Sequence, residues 1–500
     1  MKQDHRPGSS AATPPSVARN SSKRIMAAAF GQQLVFRVAG MVANVVTVTV
    51  TTRYLGPADY GALTTAIVFV ALWTSFTELG IGSVIVRKVN SEKASLERLV
   101  RISVGMSLAY SAPLLIASAG TGAIVYGDDR DIVIMITIVS SGLLATTISS
   151  SFQPVFVATV RFSAVAIADL LSRVASLTIT IVLVHQHASI TWFAVVQLAP
   201  PLVVLAIQTV AASRIVDCTP LFDWQASWTL LRESLPQTVI LIIAVLYWRL
   251  DGVILSLSST LEEVGVYGLA YSVAFTISVL PGFLGTSTLS AMTSLHATDP
   301  AKFAAFTSGT VEVMTFLAFP IAVVGSLCAP ALVDVIGSAE FVSRGGPTLA
   351  LLLVAACFGF LTGVLSQALF AAHDHIFLLR LNVVTLVINV VMNVLLAPRH
   401  GAIGAGVAML STEVLGLVVA IWRLRRTTAY RTPWRFMARL SLPVAASSAV
   451  VLFVPDVNVM LLLPLAAVTY LGANLLIGPV NHRRLRLLRA ELKAPSEATV

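Results

Sequence analysis

The chain has 500 residues, of which 56% are hydrophobic and only 11% are charged, and its mean hydropathy is +0.86. Soluble domains carry about 25% charged residues, so the composition excludes an ordinary soluble protein and indicates a membrane protein. The longest polar interval, 213–236, is too short for a separate catalytic domain of the usual ~100 residues. Basic loops of a membrane protein explain the net charge of +9 without nucleic-acid binding.

The chain begins with a polar segment that lacks the apolar core of a cleavable signal peptide. Fourteen apolar runs follow, each near the ~20 residues that a spanning helix needs. All are predicted to be helices, because an unpaired strand edge cannot face hydrocarbon and the alternation of a barrel is absent. The runs fall near 30–52, 61–86, 102–125, 132–157, 162–184, 189–212, 237–258, 264–289, 307–329, 347–370, 376–397, 401–422, 440–455 and 459–479.

An internal repeat divides twelve of these spans into two sets of six. Leu55-Gly-Pro-Ala-Asp-Tyr60-Gly61 is matched by Leu261-Glu-Glu-Val-Gly-Val-Tyr267-Gly268, with the Tyr-Gly pairs 207 residues apart. Repeats with an even number of spans insert the same way up, as parallel repeats of transporters do. The predicted organisation is a cytoplasmic tail (1–29), a six-helix bundle (30–212), a cytoplasmic linker (213–236), a second six-helix bundle (237–423), two additional helices (440–479) and a basic cytoplasmic tail (480–500).

The loop charges predict the orientation of the spans. Of the 33 Lys and Arg residues, 26 fall in the tails and loops of one side and four on the other, while three lie within spans. Basic loops remain on the cytoplasmic side. Both termini are therefore predicted to be cytoplasmic.

Polar side chains at membrane depth are the site candidates, because each needs a partner, a water-filled cavity or an interfacial position. In span 1, Arg37, Gly40, Asn44, Thr47 and Thr51 recur on one helix face. Such a face is typical of a cavity lining, although small and polar residues also join neighbouring helices. Arg37 and Asn44 are candidate substrate contacts.

Spans 7 and 5 contain pairs of opposite charge with different spacing. Arg249 and Asp251 in span 7 are both candidates for substrate binding, but on an ideal helix they point roughly 200° apart. We therefore expect at most one of them to line a cavity and the other to pair with another helix or to lie at the interface. Asp169 and Arg173 in span 5 are four residues apart and are predicted to neutralise each other.

Span 11 carries Asn382, Thr385, Asn389 and Asn393 on one face. The three asparagines are candidates for binding sugar hydroxyls, and contact with a neighbouring helix is the alternative explanation for the whole stripe.

Three lone acids, Glu78, Glu312 and Glu413, are candidates for exchanging a proton or binding a sodium ion, although each could also lie at a span end in water. No metal site is predicted, because His373 and His375 lack a convergent third ligand. A phosphate-binding loop is also absent from the sequence. We therefore expect no cofactor and no ATP hydrolysis.

Two stretches resemble a known family. Arg53-Tyr-Leu-Gly-Pro-Ala-Asp-Tyr-Gly61, followed by Thr77-Glu-Leu-Gly-Ile-Gly82, resembles the amino-terminal signature of bacterial polysaccharide flippases of the Wzx type. Trp248-Arg249-Leu-Asp251 and Val264-Gly-Val-Tyr-Gly-Leu-Ala-Tyr271 resemble the signature of their second half. These flippases belong to the multidrug/oligosaccharidyl-lipid/polysaccharide exporter superfamily.

This resemblance implies two six-helix bundles around a central cavity, which would carry undecaprenyl-pyrophosphate-linked oligosaccharides across the bacterial inner membrane. The implied partners are this lipid-linked substrate and membrane lipid, with a polysaccharide polymerase and export proteins as further candidates. A lipid II flippase and a cation-coupled drug exporter of the same superfamily are the alternatives. A membrane glycosyltransferase or polymerase is disfavoured, because the external loops are too short to carry a catalytic domain.

Overall fold

The structure, a computed structural model, describes residues 16–91, 94–159, 161, 163–277, 279–454 and 457–480. Helices are the regular secondary structure throughout these ranges. They are α1 (Ser16–Trp73), α2 (Ser75–Glu78), α3 (Ile81–Ser91), α4 (Leu96–Val125), α5 (Arg130–Ser150), α6 (Gln153–Ala158), α7 (Ser163–His185), α8 (Ile190–Val196), α9 (Ala199–Ser213), α10 (Trp224–Ser258), α11 (Leu261–Ile277), α12 (Val279–Thr298), α13 (Pro300–Ile336), α14 (Ala339–Ala371), α15 (His375–Thr427), α16 (Trp434–Phe453) and α17 (Val459–Ile477).

Among the described residues, eleven helical stretches are long and apolar enough to cross a membrane. Two of them, Val35–Ser91 with 57 residues and His375–Thr427 with 53, are more than twice the ~20 residues that one crossing needs. Each contains a glycine with positive φ, Gly56 at 72° and Gly401 at 57°. Glycine adopts this conformation without steric cost, so each stretch bends there and supplies two crossings.

The remaining predicted run, 264–289, lies in α11 and α12. The helices of the described ranges therefore account for all fourteen predicted runs. The prediction of an all-α, multi-pass membrane protein is confirmed.

The polar interval 213–236 is only partly a loop, because α10 begins at Trp224. The carboxylate of Asp223 accepts a hydrogen bond from the backbone N–H of Ala226 at 3.0 Å and so caps the helix. Residues 224–236 therefore continue the helix that contains span 7, and the loop part of the interval ends at Asp223.

Ion pairs tie this part of the chain to the first bundle. Hydrogen bonds from the backbone and side chain of Thr219, together with the charge of Arg101, lower the pKa of Asp217 and keep it ionised. The pairs are Glu233 with Arg87 (3.0 Å) and with Lys88 (2.8 Å), Asp223 with Arg98 (3.5 Å), and Asp217 with Arg101 (3.4 Å).

The two copies of the sequence repeat lie against each other where α1 crosses α11. A Cβ atom placed on Gly61 would overlap the carbonyl group of Leu261, and one placed on Gly265 would overlap the carbonyl oxygen of Pro57. The helix backbones are therefore in direct contact, which residues with side chains would prevent. This crossing joins the two bundles.

A second contact joins the bundles at the end that is predicted to be external. The Arg53 guanidinium donates hydrogen bonds of 3.0 Å to the carbonyl oxygens of Asp334 and Val335, and the Thr52 hydroxyl donates one of 2.9 Å to that of Ile336. These carbonyls lie in the last turn of α13, where helix geometry leaves them without an intrahelical donor. Arg53 also places a positive charge at the negative end of that helix.

We predict that Gly61→Ala destabilises the protein, because its methyl group forces α1 away from α11. Overpacking of this kind costs about 1–3 kcal/mol. The midpoint of thermal unfolding in detergent measures the effect. Gly120→Ala is the control, because a Cβ at Gly120 meets no atom within 4 Å. Equal midpoints for the two variants would contradict the close crossing.

Candidate functional site

A cavity of about 810 Å³ lies inside the second bundle, between α10 and the helices α14 and α15. This volume falls within the range of about 300–1,000 Å³ that is typical of small-molecule sites. Much of its wall is apolar, with Val239 and Ile243 on one side and Leu378 and Leu381 on the other. Its lining includes one carboxylate, that of Glu413.

Glu413 lies on α15 and is only 4% exposed. Its Oε1 atom accepts a hydrogen bond from the Tyr247 hydroxyl at 2.8 Å. A Cβ atom at Gly359 would come within 3.3 Å of Oε2, so this glycine leaves room for the carboxylate. The cavity thus holds an acid whose described hydrogen-bond partner is neutral.

A smaller pocket of about 80 Å³ lies where the two bundles meet. Trp248 lines both this pocket and the larger cavity, so the two spaces share this residue. The pocket contains aromatic rings, hydroxyl groups and two opposite charges. Its polar and aromatic lining residues are Tyr60 and Thr64 of α1, Trp248, Arg249 and Asp251 of α10, and Tyr267, Tyr271 and Ser272 of α11.

Asp251 and Arg249 contact different residues of α11. Asp251 is 1% exposed and accepts a hydrogen bond from the Tyr267 hydroxyl. The Arg249 guanidinium lies 5.2 Å from the ring centre of Tyr271 and 5.7 Å from that of Phe275. These distances are within the range of cation–π attraction. No described carboxylate lies within 4 Å of the guanidinium, so aromatic faces are its observed neighbours.

Both Arg249 and Asp251 line the small pocket, and Asp251 also pairs with another helix through Tyr267. The angle of an ideal helix describes only where each side chain starts. The long arginine side chain reaches the Tyr271 ring, whereas the short Asp251 side chain meets Tyr267 directly. Both residues therefore face α11 despite their spacing.

A family model of polysaccharide biosynthesis proteins matches residues 50–343, which is more than half of the chain. The chain belongs to the polysaccharide biosynthesis protein family. The resemblance to polysaccharide flippases that the span motifs predict is confirmed at this level. The matched region includes α10 with Arg249 and Asp251.

A curated relative, the probable flippase AglR of Haloferax volcanii, is 28% identical over 203 residues. The alignment covers 37% of this chain and 40% of that protein. The chain therefore matches less than half of the length of this relative.

Two solved structures share the fold. The lipid II flippase MurJ in an inward closed conformation has a TM-score of 0.73 and 13% identity, and the alignment covers 91% of this chain and 100% of that one. A multidrug resistance transporter of the MATE family in an inward-facing conformation has a TM-score of 0.62 and 12% identity, covering 79% and 98%. At these identities the likeness concerns the fold alone.

The predicted stripe on span 1 meets several different neighbours. The Arg37 side chain is exposed, whereas a Cβ at Gly40 would lie 3.0 Å from Cδ of Arg173. Asn44 is half-buried and borders a narrow cleft together with Ser272 of α11. The face is thus divided between helix contacts and an accessible arginine.

Arg173 in turn pairs with Asp169 at 3.1 Å, as the spacing in span 5 predicts.

The stripe on span 11 divides in the same way. Asn382 and Thr385 line the large cavity. Asn389 and Asn393 are fully buried, with Asn389 donating to Thr412 Oγ1 at 3.4 Å and Asn393 donating to the Asn389 carbonyl at 3.0 Å. Their amides therefore serve helix packing, and Asn382 is the asparagine of this stripe that reaches the cavity.

Glu413 is also distinguished from the other two candidate acids. Glu78 and Glu312 are half-buried and are not among the residues that line either cavity. Tyr247, Trp248 and Tyr267 are not among the site candidates that the sequence predicts, because aromatic residues in a span are usually lipid-facing or packing residues. The run Tyr247-Trp248-Arg249 indicates a role for the two aromatic residues, because an in-span arginine needs compensation.

We predict that Asp251→Ala and Tyr267→Phe are strongly non-additive in stability. Each single change leaves a buried polar group without its partner, whereas the double change removes both groups. Thermal or denaturant unfolding of the four proteins in detergent should give a coupling free energy of about 0.5–3 kcal/mol. The control is Tyr54→Phe, which removes a hydroxyl that donates a hydrogen bond to the Ala188 carbonyl. Its effect on the free energy of unfolding should add to that of Asp251→Ala without a coupling term.

Proposed function

We propose that this protein flips undecaprenyl-pyrophosphate-linked oligosaccharides across the bacterial inner membrane, for the synthesis of surface polysaccharide. Its family and its multi-pass helical fold support a membrane transport function. In this proposal the chain catalyses no covalent reaction. Its partners are the lipid-linked oligosaccharide and membrane lipid, and a polymerase and export proteins use the product outside.

The observation that carries the proposal is the environment of Arg249. A guanidinium stays charged at physiological pH and binds phosphate oxygens through two parallel hydrogen bonds. Arg249 is half-buried and faces aromatic rings, and it forms no ion pair within 4 Å with a described carboxylate, although Asp251 lines the same pocket. A pyrophosphate headgroup would supply a direct ionic contact.

The location of Arg249 suits alternating access. Transport by paired repeats proceeds when the two halves rock against each other around a site at their interface. Arg249 lines a pocket that residues of both bundles form. Arg37, exposed on α1, is the second candidate for contact with the headgroup, and Asn382 in the cavity is the candidate for contact with sugar hydroxyls.

We further propose that Glu413 is the group that couples transport to a proton or sodium ion. A carboxylate that is 4% exposed and hydrogen-bonded to a neutral tyrosine can gain a positive ion without losing an existing ion pair. Glu413 faces a cavity large enough to admit water and ions.

Export of amphiphilic cations is a second candidate function. The large cavity favours it, because an apolar wall with one carboxylate suits a cationic amphiphile. Lipid II would be a different cargo for the same mechanism, because a guanidinium at position 249 could bind any lipid pyrophosphate.

We predict that Arg249→Gln slows flipping at least tenfold and that Arg249→Lys restores only part of the rate, because lysine keeps the charge but loses the planar fork. The assay uses purified protein in vesicles with a fluorescent polyprenyl-pyrophosphate oligosaccharide. A membrane-impermeant reductant quenches the fluorophore once the lipid reaches the outer leaflet. Arg399→Gln, an exposed arginine outside both cavities, is the control.

The same vesicles separate the alternatives. Wild-type rates from both Arg249→Gln and Arg37→Gln would refute the headgroup role. Glu413→Gln should abolish the acceleration of flipping by an ion gradient. The slow flipping that occurs in the absence of a gradient should be unchanged. Transport of a cationic dye that lipid pyrophosphates do not inhibit would favour the drug exporter. Flipping of lipid II at a higher rate than the oligosaccharide lipid would identify lipid II as the cargo.

The proposed orientation predicts opposite labelling of two exposed loop positions in intact cells. In a chain whose three cysteines are replaced by alanine, Asp128→Cys should react with a membrane-impermeant maleimide and Ala429→Cys should react only after the cells are opened. Labelling in the reverse pattern would invert the topology that the charge bias predicts.

A further inference from the structure

The connection between α15 and α16 contains an unusual concentration of arginine. Residues 420–440 include six arginines and no aspartate or glutamate. Arg423 is paired with Asp374, with 2.6 Å between Nε and Oδ2. The other five have exposed side chains, and none of them forms an ion pair with a residue that the structure describes. They are Arg425, Arg426, Arg431, Arg435 and Arg439.

The other basic loop on the same side differs in this respect. Arg87, Lys88, Arg98 and Arg101 all meet carboxylates between 2.8 and 3.5 Å away. The bias that orients membrane proteins requires basic residues in both loops. It does not require that one loop be neutralised by the protein and the other be left without acids.

The unpaired arginines are held by an ordered backbone. The Ser308 hydroxyl at the start of span 9 donates a 2.9 Å hydrogen bond to the Arg431 carbonyl. Tyr430 is 2% exposed and packs into the core of the second bundle. Arg435 and Arg439 are one turn apart on α16 and project from the same face. The charges are therefore presented together from a fixed position.

Two exposed tryptophans mark the depth of this loop. Trp422 is 46% exposed near the end of α15, and Trp434 is 59% exposed at the start of α16. Tryptophan is enriched at the level of lipid headgroups, where its ring is apolar and its N–H is hydrated. The Arg426 guanidinium lies 4.4 Å from the ring centre of Trp422, so this arginine is held at the same level.

We propose that the loop between α15 and α16 is a binding site for the headgroups of anionic phospholipids. The five arginines supply positive charge without competing acids, and the two tryptophans place it at phosphate depth. Clusters of four to eight basic residues next to a membrane span attract anionic lipids in this way. The bound lipid would anchor α16, whose Phe436 and Leu440 pack on the side chains of span 9. The inference does not depend on which cargo is transported.

The test measures lipid binding by the purified full-length protein in neutral detergent. Phosphatidylglycerol and cardiolipin are titrated against phosphatidylcholine, and the bound lipids are counted by native mass spectrometry. We expect Arg435→Gln/Arg439→Gln and Arg425→Gln/Arg426→Gln each to weaken binding of the anionic lipids roughly tenfold or more. Raised salt should weaken binding to the wild type.

The matched control is Arg130→Gln/Arg399→Gln, which removes two exposed arginines from the opposite side. It should bind as the wild type does. If the glutamine variants fail to purify, Arg435→Lys/Arg439→Lys keeps the charge and should retain most of the binding.

Three results would overturn the proposal. One is equal binding of phosphatidylglycerol by the loop variants and the control. Another is equal binding of phosphatidylcholine and phosphatidylglycerol by the wild type. The third is binding of another pyrophosphate at this loop. Inorganic pyrophosphate that binds with the same affinity as the lipids would make the loop a site for free phosphate. A preference for a polyprenyl pyrophosphate over phosphatidylglycerol would make it a docking site for cargo.

Discussion

The close crossing of α1 and α11 is the constraint on which the rest of the structure depends. Three glycines bring the helices together, because a Cβ at Gly268 would also lie 2.6 Å from the Thr64 side chain. The approach sets the distance between the bundles and so determines which residues meet at their interface. Tyr60, beside Gly61, packs edge-on against Phe341 of α14. The pocket with Arg249 and Asp251 lies directly beside this crossing.

The polar residues of the spans are each compensated in a different way. The Asp169–Arg173 ion pair is contained within one helix, whereas Asp251 and Glu413 are hydrogen-bonded to tyrosines of other helices. Arg249 faces aromatic rings. Burial of polar groups in an apolar medium is costly unless each finds a partner, so these contacts select one arrangement of helices. Arg249, which has no direct ion pair with a described carboxylate, is the group that we propose to bind an anion.

The sequence predicts the helical spans well, because a run of apolar residues has one stable solution in lipid. It also predicts the pairing of Asp169 with Arg173, because both partners lie on one helix. The sequence does not predict the contacts between helices. Periodicity identifies the residues that share a face, but it does not identify what that face meets, so Asn382 and Asn389 received the same prediction and have different environments. Similarly, the length of the arginine side chain, rather than helix geometry, brings Arg249 to α11.

The shared wall at Trp248 has a thermodynamic consequence. Helix α10 contributes Tyr247 to the contact with Glu413 and Arg249 to the pocket between the bundles, with Trp248 between them. A ligand that shifts this segment on binding in one space alters the free energy of binding in the other. Linkage is reciprocal, so an ion at Glu413 and an anion at Arg249 would change each other's affinity by the same factor. If both proposed sites are occupied and binding shifts this segment, three consecutive residues of one helix would make the two occupancies interdependent, without a relay of contacts through the rest of the bundle.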